Sequence, residues 1–137
     1  MSVKCIATYS GDLGCEILHE QSGSIIYTEA PLDNNGKGTK FSPTDLAGAA
    51  LGACILTIMG MVADNEKLDI KGTKVDITKE MSQNAPRRIS QFDITVKFPE
   101  GLNLTDTQKK KLEAGAKGCP VKASLHPETI MNLNFVY

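Results

Sequence analysis

The chain has 137 residues, 41% of them hydrophobic and 23% charged, with a formal net charge of -1. A single domain over residues 1–137 is expected at this length, large enough for a real core but near the size where a permanent partner adds much to it. No surplus of positive charge is available for phosphates, which argues against a nucleic-acid partner.

The N-terminal segment "MSVKCIATYSGDLG" lacks a basic flank, an apolar stretch and a small-residue cleavage site, so a cytoplasmic protein is expected. Three short strands follow one another, "VKCIATY", "GCEILHE" and "SIIYT", divided by "SGDL" and "QSGS", where Gly and Ser allow the chain to turn. A loop rich in Gly, Asn and Lys, "APLDNNGKGTKF", then leads into the most apolar part of the sequence, and at that length it is expected to cover something.

That apolar part opens with "SPTD". Ser42 suits the cap, Pro43 the first helical position, and Asp45 sits where it can close a capping box and meet the positive end of the helix dipole. Eighteen uncharged residues separate Asp45 from Asp64, the bottom of the range for a membrane span. Gly48, Gly52, Gly60 and five alanines keep the hydrophobicity moderate, so the segment predicts a buried helix to about Glu66 and no membrane insertion.

Two alternating stretches come next. In "KLDIKGTKVDITKEM" Val75 and Ile77 face one way and Lys74, Asp76 and Thr78 the other; in "RRISQFDITVKFP" Phe92, Ile94, Val96 and Phe98 share a face. They predict two half-exposed antiparallel strands around "SQNAP". Thr105 and Gln108 form a second capping box for a helix through "DTQKKKLEAGAK" that ends at Gly118. A further helical turn starts with Cys119 at the cap and Pro120 at the first position and stops at His126, and "TIMNLNFVY" closes as a strand. The predicted order is β-β-β-α-β-β-α-α-β, an α+β domain.

The four cysteines, Cys5, Cys15, Cys54 and Cys119, include no C-x-x-C pair, and His19 and His126 form no ligand spacing with them, so no metal site is expected. In a reducing compartment all four are expected as free thiols. Cys5 and Cys15 fall on the first hairpin and read as packing or surface residues. Cys119 stands at a helix N-terminus, where unpaired N–H groups and the dipole favour a thiolate; the same residue also serves as a small side chain in a tight "GCP" junction. Cys54 lies in the apolar helix, where a cysteine is either inert packing or is activated by a neighbouring cation.

Asp45 is a poor direct partner for Cys54, because nine residues at about 100° each place it on the opposite side of the helix. Its expected role is the cap. The cation candidates are Arg87 and Arg88: strand parity points Arg88 inward, while Ile89 breaks that parity and a bulge would exchange the two, and solvent-facing guanidinium groups remain the alternative for both. Lys40, in the loop before the helix, is a weaker candidate.

The pattern "SPTDLAGAALGACILT", followed 65 positions later by "GCPVKASL" and a closing strand, resembles the OsmC/Ohr family of thiol-dependent peroxide reductases. The resemblance spans nearly the whole chain. It implies an intertwined homodimer with two central apolar helices, Cys54 as the peroxidatic thiol and Cys119 as the resolving thiol. It also implies organic hydroperoxides as substrates, no bound cofactor, and an external dithiol of the dihydrolipoyl kind as reductant. In the Ohr branch a Glu follows the proline before this helix and fixes an N-terminal Arg; here Thr44 stands at that position and residues 1–86 hold no arginine. The carboxylate at Asp45 and the "APR" segment ending at Arg87 resemble the more divergent OsmC-like branch that includes the YhfA-type proteins. A second function is compatible with the same fold: a dimeric small-molecule-binding module with weak or no peroxidase activity.

Overall fold

The computed structural model describes residues 1–137. Its elements are β1 (Cys5–Gly11), β2 (Gly14–His19), β3 (Ile25–Glu29), α1 (Pro43–Asn65), β4 (Lys74–Met81), β5 (Ile89–Lys97), α2 (Asp106–Lys117), α3 (Pro120–Ala123) and β6 (Ile130–Val136), with one 3-10 turn at Leu32–Asn34. Every expected element is present and in the expected order. The chain divides into two compact units, Met1–Ala47 and Gly48–Tyr137.

In the first unit β1, β2 and β3 form an antiparallel sheet in that order. The β1–β2 turn places Asp12 at φ 51° and Leu13 at φ 59°, the two left-handed conformations of a type I′ hairpin, and glycines flank it at Gly11 and Gly14. Pairing alternates the side chains so that Ile6, Ile25 and Tyr27 share one face and Tyr9 and Ile26 the other. All five are exposed, so this sheet is uncovered on both faces along much of its length. The loop after β3 turns back tightly: Gly36 packs on the Ala30 carbonyl so closely that a Cβ there would lie 1.5 Å from its oxygen.

The start of α1 follows its capping box. Asp45 N–H donates to Ser42 Oγ at 3.1 Å, and Ser42 N–H donates to Asp45 Oδ2 at 2.9 Å. The end is closed by a Schellman motif, with Leu68 N–H on the Ala63 carbonyl at 2.8 Å and Lys67 N–H on the Asp64 carbonyl at 3.2 Å. Lys67 takes the left-handed position at φ 56°, where glycine is usual.

The second unit is built on the sheet β4-β5-β6, antiparallel between β4 and β5 and parallel between β5 and β6. Phe92, Ile94 and Val96 of β5 are fully buried, as their shared parity predicts. Leu51, Ile55, Met59 and Ala63 of α1 join them in the core with Leu112 and Ala116 of α2. Close approach depends on glycine: Gly48 lies under Phe92, and a Cβ on Gly52 would meet Ile77 Cδ1 at 2.5 Å. Gly115 of α2 does the same for Val62 and Ile58 of α1.

By length and hydropathy α1 could cross a membrane, with a mean hydropathy of 2.1 over its most apolar window. Its buried residues instead form the centre of this core, which makes it a core helix. Its burial is one-sided, however: Ala49, Ala50, Ala53, Thr57 and Met61 are exposed. One chain therefore covers only one of the faces that its all-round apolarity leads one to expect covered.

Helix α3 stops at Ala123, three residues earlier than the expected stop at His126. A residue before proline is driven out of the helical region, and His126 instead organises the turn into β6, accepting Glu128 N–H on Nδ1 at 3.2 Å and Thr129 N–H on its carbonyl at 2.9 Å. Gly52→Val should drive a branched side chain into Ile77 and lower stability by about 1–3 kcal/mol, measured by urea unfolding; an unchanged midpoint would show that α1 and β4 are not packed this closely.

Candidate functional site

Cys54 and Cys119 are 65 positions apart in the chain, yet the Cys54 thiol lies close enough to Cys119 to push its titration upward. Two packing constraints bring them together. Cys54 lies next to Ile55 on α1, at the edge of the buried face rather than its centre, and is half-buried. Cys119 is the residue before the first turn of α3, and Leu112 and Ala116 hold the preceding helix against the core, so its side chain is buried with 1% exposure. Both cysteines are free thiols.

Their environments differ. Burial pushes the Cys119 thiol above its ordinary value of 9.0, and the adjacent Cys54 thiol pushes it the same way. The N–H groups of Lys122 and Val121 oppose this by favouring the thiolate. The sulfur closes no side-chain capping hydrogen bond, so the helix end moderates the shift without reversing it. At Cys119 burial raises the thiol by more than the helix end lowers it. Chemically the pair consists of one half-exposed thiol with one buried thiol nearby, and neighbouring thiols are what a disulfide is made from.

Asp45 is the capping partner of Ser42, and 42–45 is the segment from which the Cys54 helix starts. Arg88 is half-buried. Its guanidinium donates to Glu128 Oε2 at 3.0 Å and to the Ile89 carbonyl at 3.2 Å, so it is tied to the turn before β6 and to its own strand. Arg87 lies on the exposed part of the 82–88 connection. There Ser82 Oγ donates to the Asn84 carbonyl at 3.1 Å and accepts Arg88 N–H at 2.9 Å, which fixes the connection's ends. Strand β5 begins only at Ile89, and the register shifts at Glu80/Met81; simple parity does not extend back to the arginines. A cation that the sequence reading passed over is Lys79, half-buried and opposite Phe92 in the ladder, on the core-facing side of β4 with Val75 and Ile77. The alternation that placed Val75 and Ile77 inward also covers Lys79; carrying it two residues further would have found it. No group of three or more His, Cys, Asp or Glu side chains is placed to hold a metal.

The sequence profile of the family described as OsmC-like protein matches residues 36–134. The chain belongs to the OsmC-like family. It is similar, at 40% identity, to a solved Psychrobacter arcticus protein named for osmotic stress induction and detoxification response; the match covers 96% of this chain and 93% of that one, with a TM-score of 0.89. The OsmC-like fold also matches an organic hydroperoxide resistance protein OsmC from Legionella pneumophila at 14% identity and a TM-score of 0.76, over 100% of this chain and 98% of that one. A third match is an organic hydroperoxide resistance protein from Elizabethkingia anophelis at 15% identity and a TM-score of 0.77, over 99% and 96% of the two chains. No curated protein matches the chain.

The Cys119 shift has a consequence for stability of this OsmC-like protein. The folded thiol titrates above 9.0, so its contribution is fully present below that pH and is lost as pH rises toward the folded value, because the unfolded chain releases its proton first. Urea unfolding on either side of pH 9.0 should show a larger loss for the wild type than for Cys119→Ser; equal losses would mean the thiol is not held neutral by the fold.

Proposed function

We propose that this OsmC-like chain is a thiol-dependent peroxidase that reduces organic hydroperoxides to alcohols. The observation that carries the reading is the proximity of the half-exposed Cys54 thiol to the buried Cys119 thiol, whose titration it shifts. In the first step the Cys54 thiolate attacks the distal oxygen of ROOH. The O–O bond breaks, the alkoxide takes a proton and leaves as the alcohol, and Cys54 becomes a sulfenic acid. In the second step the Cys119 sulfur displaces the sulfenic hydroxyl, a 54–119 disulfide forms and water leaves. An external dithiol of the dihydrolipoyl kind then reduces the disulfide by exchange and is itself oxidised.

The burial pattern fits this division of labour. An accessible Cys54 meets peroxide first, and a buried Cys119 reaches only the sulfur beside it. The apolar core cluster against which Cys54 packs favours an alkyl peroxide over hydrogen peroxide. Asp45 supports the reaction by fixing the start of α1; Arg87 is the arginine that matches by motif, and Arg88 supports the strand end through Glu128. The reaction is assigned to the cytoplasm, where dithiol reductants keep cysteines reduced.

The functional unit in this reading is a homodimer. Supporting it are the exposed apolar side of α1, with Ala49, Ala50, Ala53 and Met61, and a β1-β2-β3 sheet that exposes Ile6, Tyr9, Ile25, Ile26 and Tyr27 on its two faces. Apolar surface of this kind on a chain this size is covered most simply by a second copy. Analytical ultracentrifugation should give a dimer, and Ala53→Glu should shift it toward monomer; a wild-type monomer would remove the assembly from the proposal.

A second reading, a dimeric binding module with weak or no peroxidase activity, is favoured by the engagement of Arg88 with Glu128 and the Ile89 carbonyl. One equivalent of cumene hydroperoxide added to the reduced protein, followed by alkylation and peptide mapping, separates the two. Rapid formation of a 54–119 disulfide, absent in Cys54→Ser and reversed by dihydrolipoamide, is the expected result. Free thiols at both positions after minutes would overturn the peroxidase and leave the binding module.

A further inference from the structure

A cavity lies wholly within the first unit, away from both cysteines of the thiol pair in sequence. It has a volume of about 310 Å³ and is walled by the β1–β2 turn, the end of β3 and the 37–40 segment. This volume is at the lower end of small-molecule pockets, about 300–1,000 Å³, and so admits a ligand of amino-acid size.

Its most unusual wall residue is Glu29, a carboxylate only 6% exposed. Burial alone would raise the carboxyl, but the Thr39 hydroxyl and the N–H groups of Thr39 and Lys40, with the Lys40 charge, outweigh it and hold Glu29 below the ordinary value. All three of these donors converge on one oxygen. Glu29 Oε1 accepts the Thr39 hydroxyl at 2.9 Å, Lys40 N–H at 2.8 Å and Thr39 N–H. Oε2 accepts none. Since no buried side-chain oxygen in the protein lacks a partner, Oε2 is the open oxygen of an ionised and otherwise buried group on the cavity wall.

The remaining charges on the wall restrict what can bind. Asp12 and Lys37 face each other at 4.0 Å and neutralise one another. Lys40 lines the cavity, and its charge acts on Glu29 across it. The cavity thus offers one open carboxylate oxygen and one exposed ammonium whose charges balance each other. A cation alone would leave Lys40 unbalanced, and an anion alone would face Glu29.

We propose that this cavity binds a small zwitterion, an α-amino acid or a molecule bearing the same ammonium and carboxylate pair, with the ammonium on Glu29 Oε2 and the carboxylate on Lys40 Nζ. Backbone fixes the first contact, because the donors that hold Oε1 orient the whole carboxylate. Lys40 supplies the second from a flexible stem, which tolerates variation in ligand length. None of the cavity's wall residues is Cys54 or Cys119, and Cys54→Ser should leave binding intact.

The test is a titration of the isotope-labelled full chain with L-norleucine, followed by amide chemical shifts, with hexanoate and pentylamine as single-charge controls. Saturable shifts at Thr39 and Lys40 are expected, with affinity reduced about tenfold or more in Glu29→Gln and in Lys40→Met, and for each control. If Glu29→Gln does not fold, Lys40→Met decides, since the Lys40 side chain is exposed and the hydrogen bonds to Glu29 come from the backbone and Thr39. No saturable shift with L-norleucine, an unchanged affinity in Lys40→Met, or equal binding of either control would overturn the proposal.

Discussion

The fold of the second unit depends on how closely α1 can lie against its neighbours. Gly48 and Gly52 remove the side chains that would otherwise stand between the helix and Phe92, Ile77 and Val75, and Gly115 does the same where α2 meets Ile58 and Val62. Interiors are packed to near-crystalline density, so a helix that approaches by even one methyl's width changes which side chains reach each other. Here the close approach lets Leu51, Ile55 and Met59 reach full burial against β5. It also sets Cys54, one residue from Ile55, at the margin of that contact and beside Cys119.

The chemistry of the thiol pair follows from this asymmetry. Cys119 belongs to the core cluster and is enclosed, whereas Cys54 packs against it from the edge. A buried thiol is held neutral by its surroundings and stays unreactive toward solutes, while a partly open one can be reached. The same helix end that would activate an exposed cysteine only tempers the effect of burial at Cys119. Local position on an element is therefore a weaker determinant of thiol chemistry here than depth in the core.

The first unit uses a different device. Its sheet has little apolar cover, and its order comes from polar closure: Glu29 gathers Thr39 and Lys40 onto one oxygen, Ala30 N–H reaches the Leu13 carbonyl at 3.0 Å, and Gly36 admits the close turn beside Ala30. A carboxylate accepting several backbone donors is a strong local constraint in a low-dielectric setting. It leads the chain in a defined path to the capping box that starts α1.

Sequence by itself determined most of the secondary structure, because the signals are local. The Ser42–Asp45 and Thr105–Gln108 boxes, Pro43 and Pro120 at first helical positions, and the alternation of Phe92, Ile94 and Val96 each act within a few residues, and all stand as expected. The paired motifs around Cys54 and Cys119 likewise carried the family. Tertiary structure decided what depends on distant segments: the proximity of two thiols 65 positions apart, the parallel pairing of β5 with β6, and the commitment of Arg88 to Glu128. It also decided the left-handed Lys67 at the end of α1, where no glycine announced a stop. Periodicity reports which face a side chain takes along its own element; only packing settles how deep it lies and what it meets there.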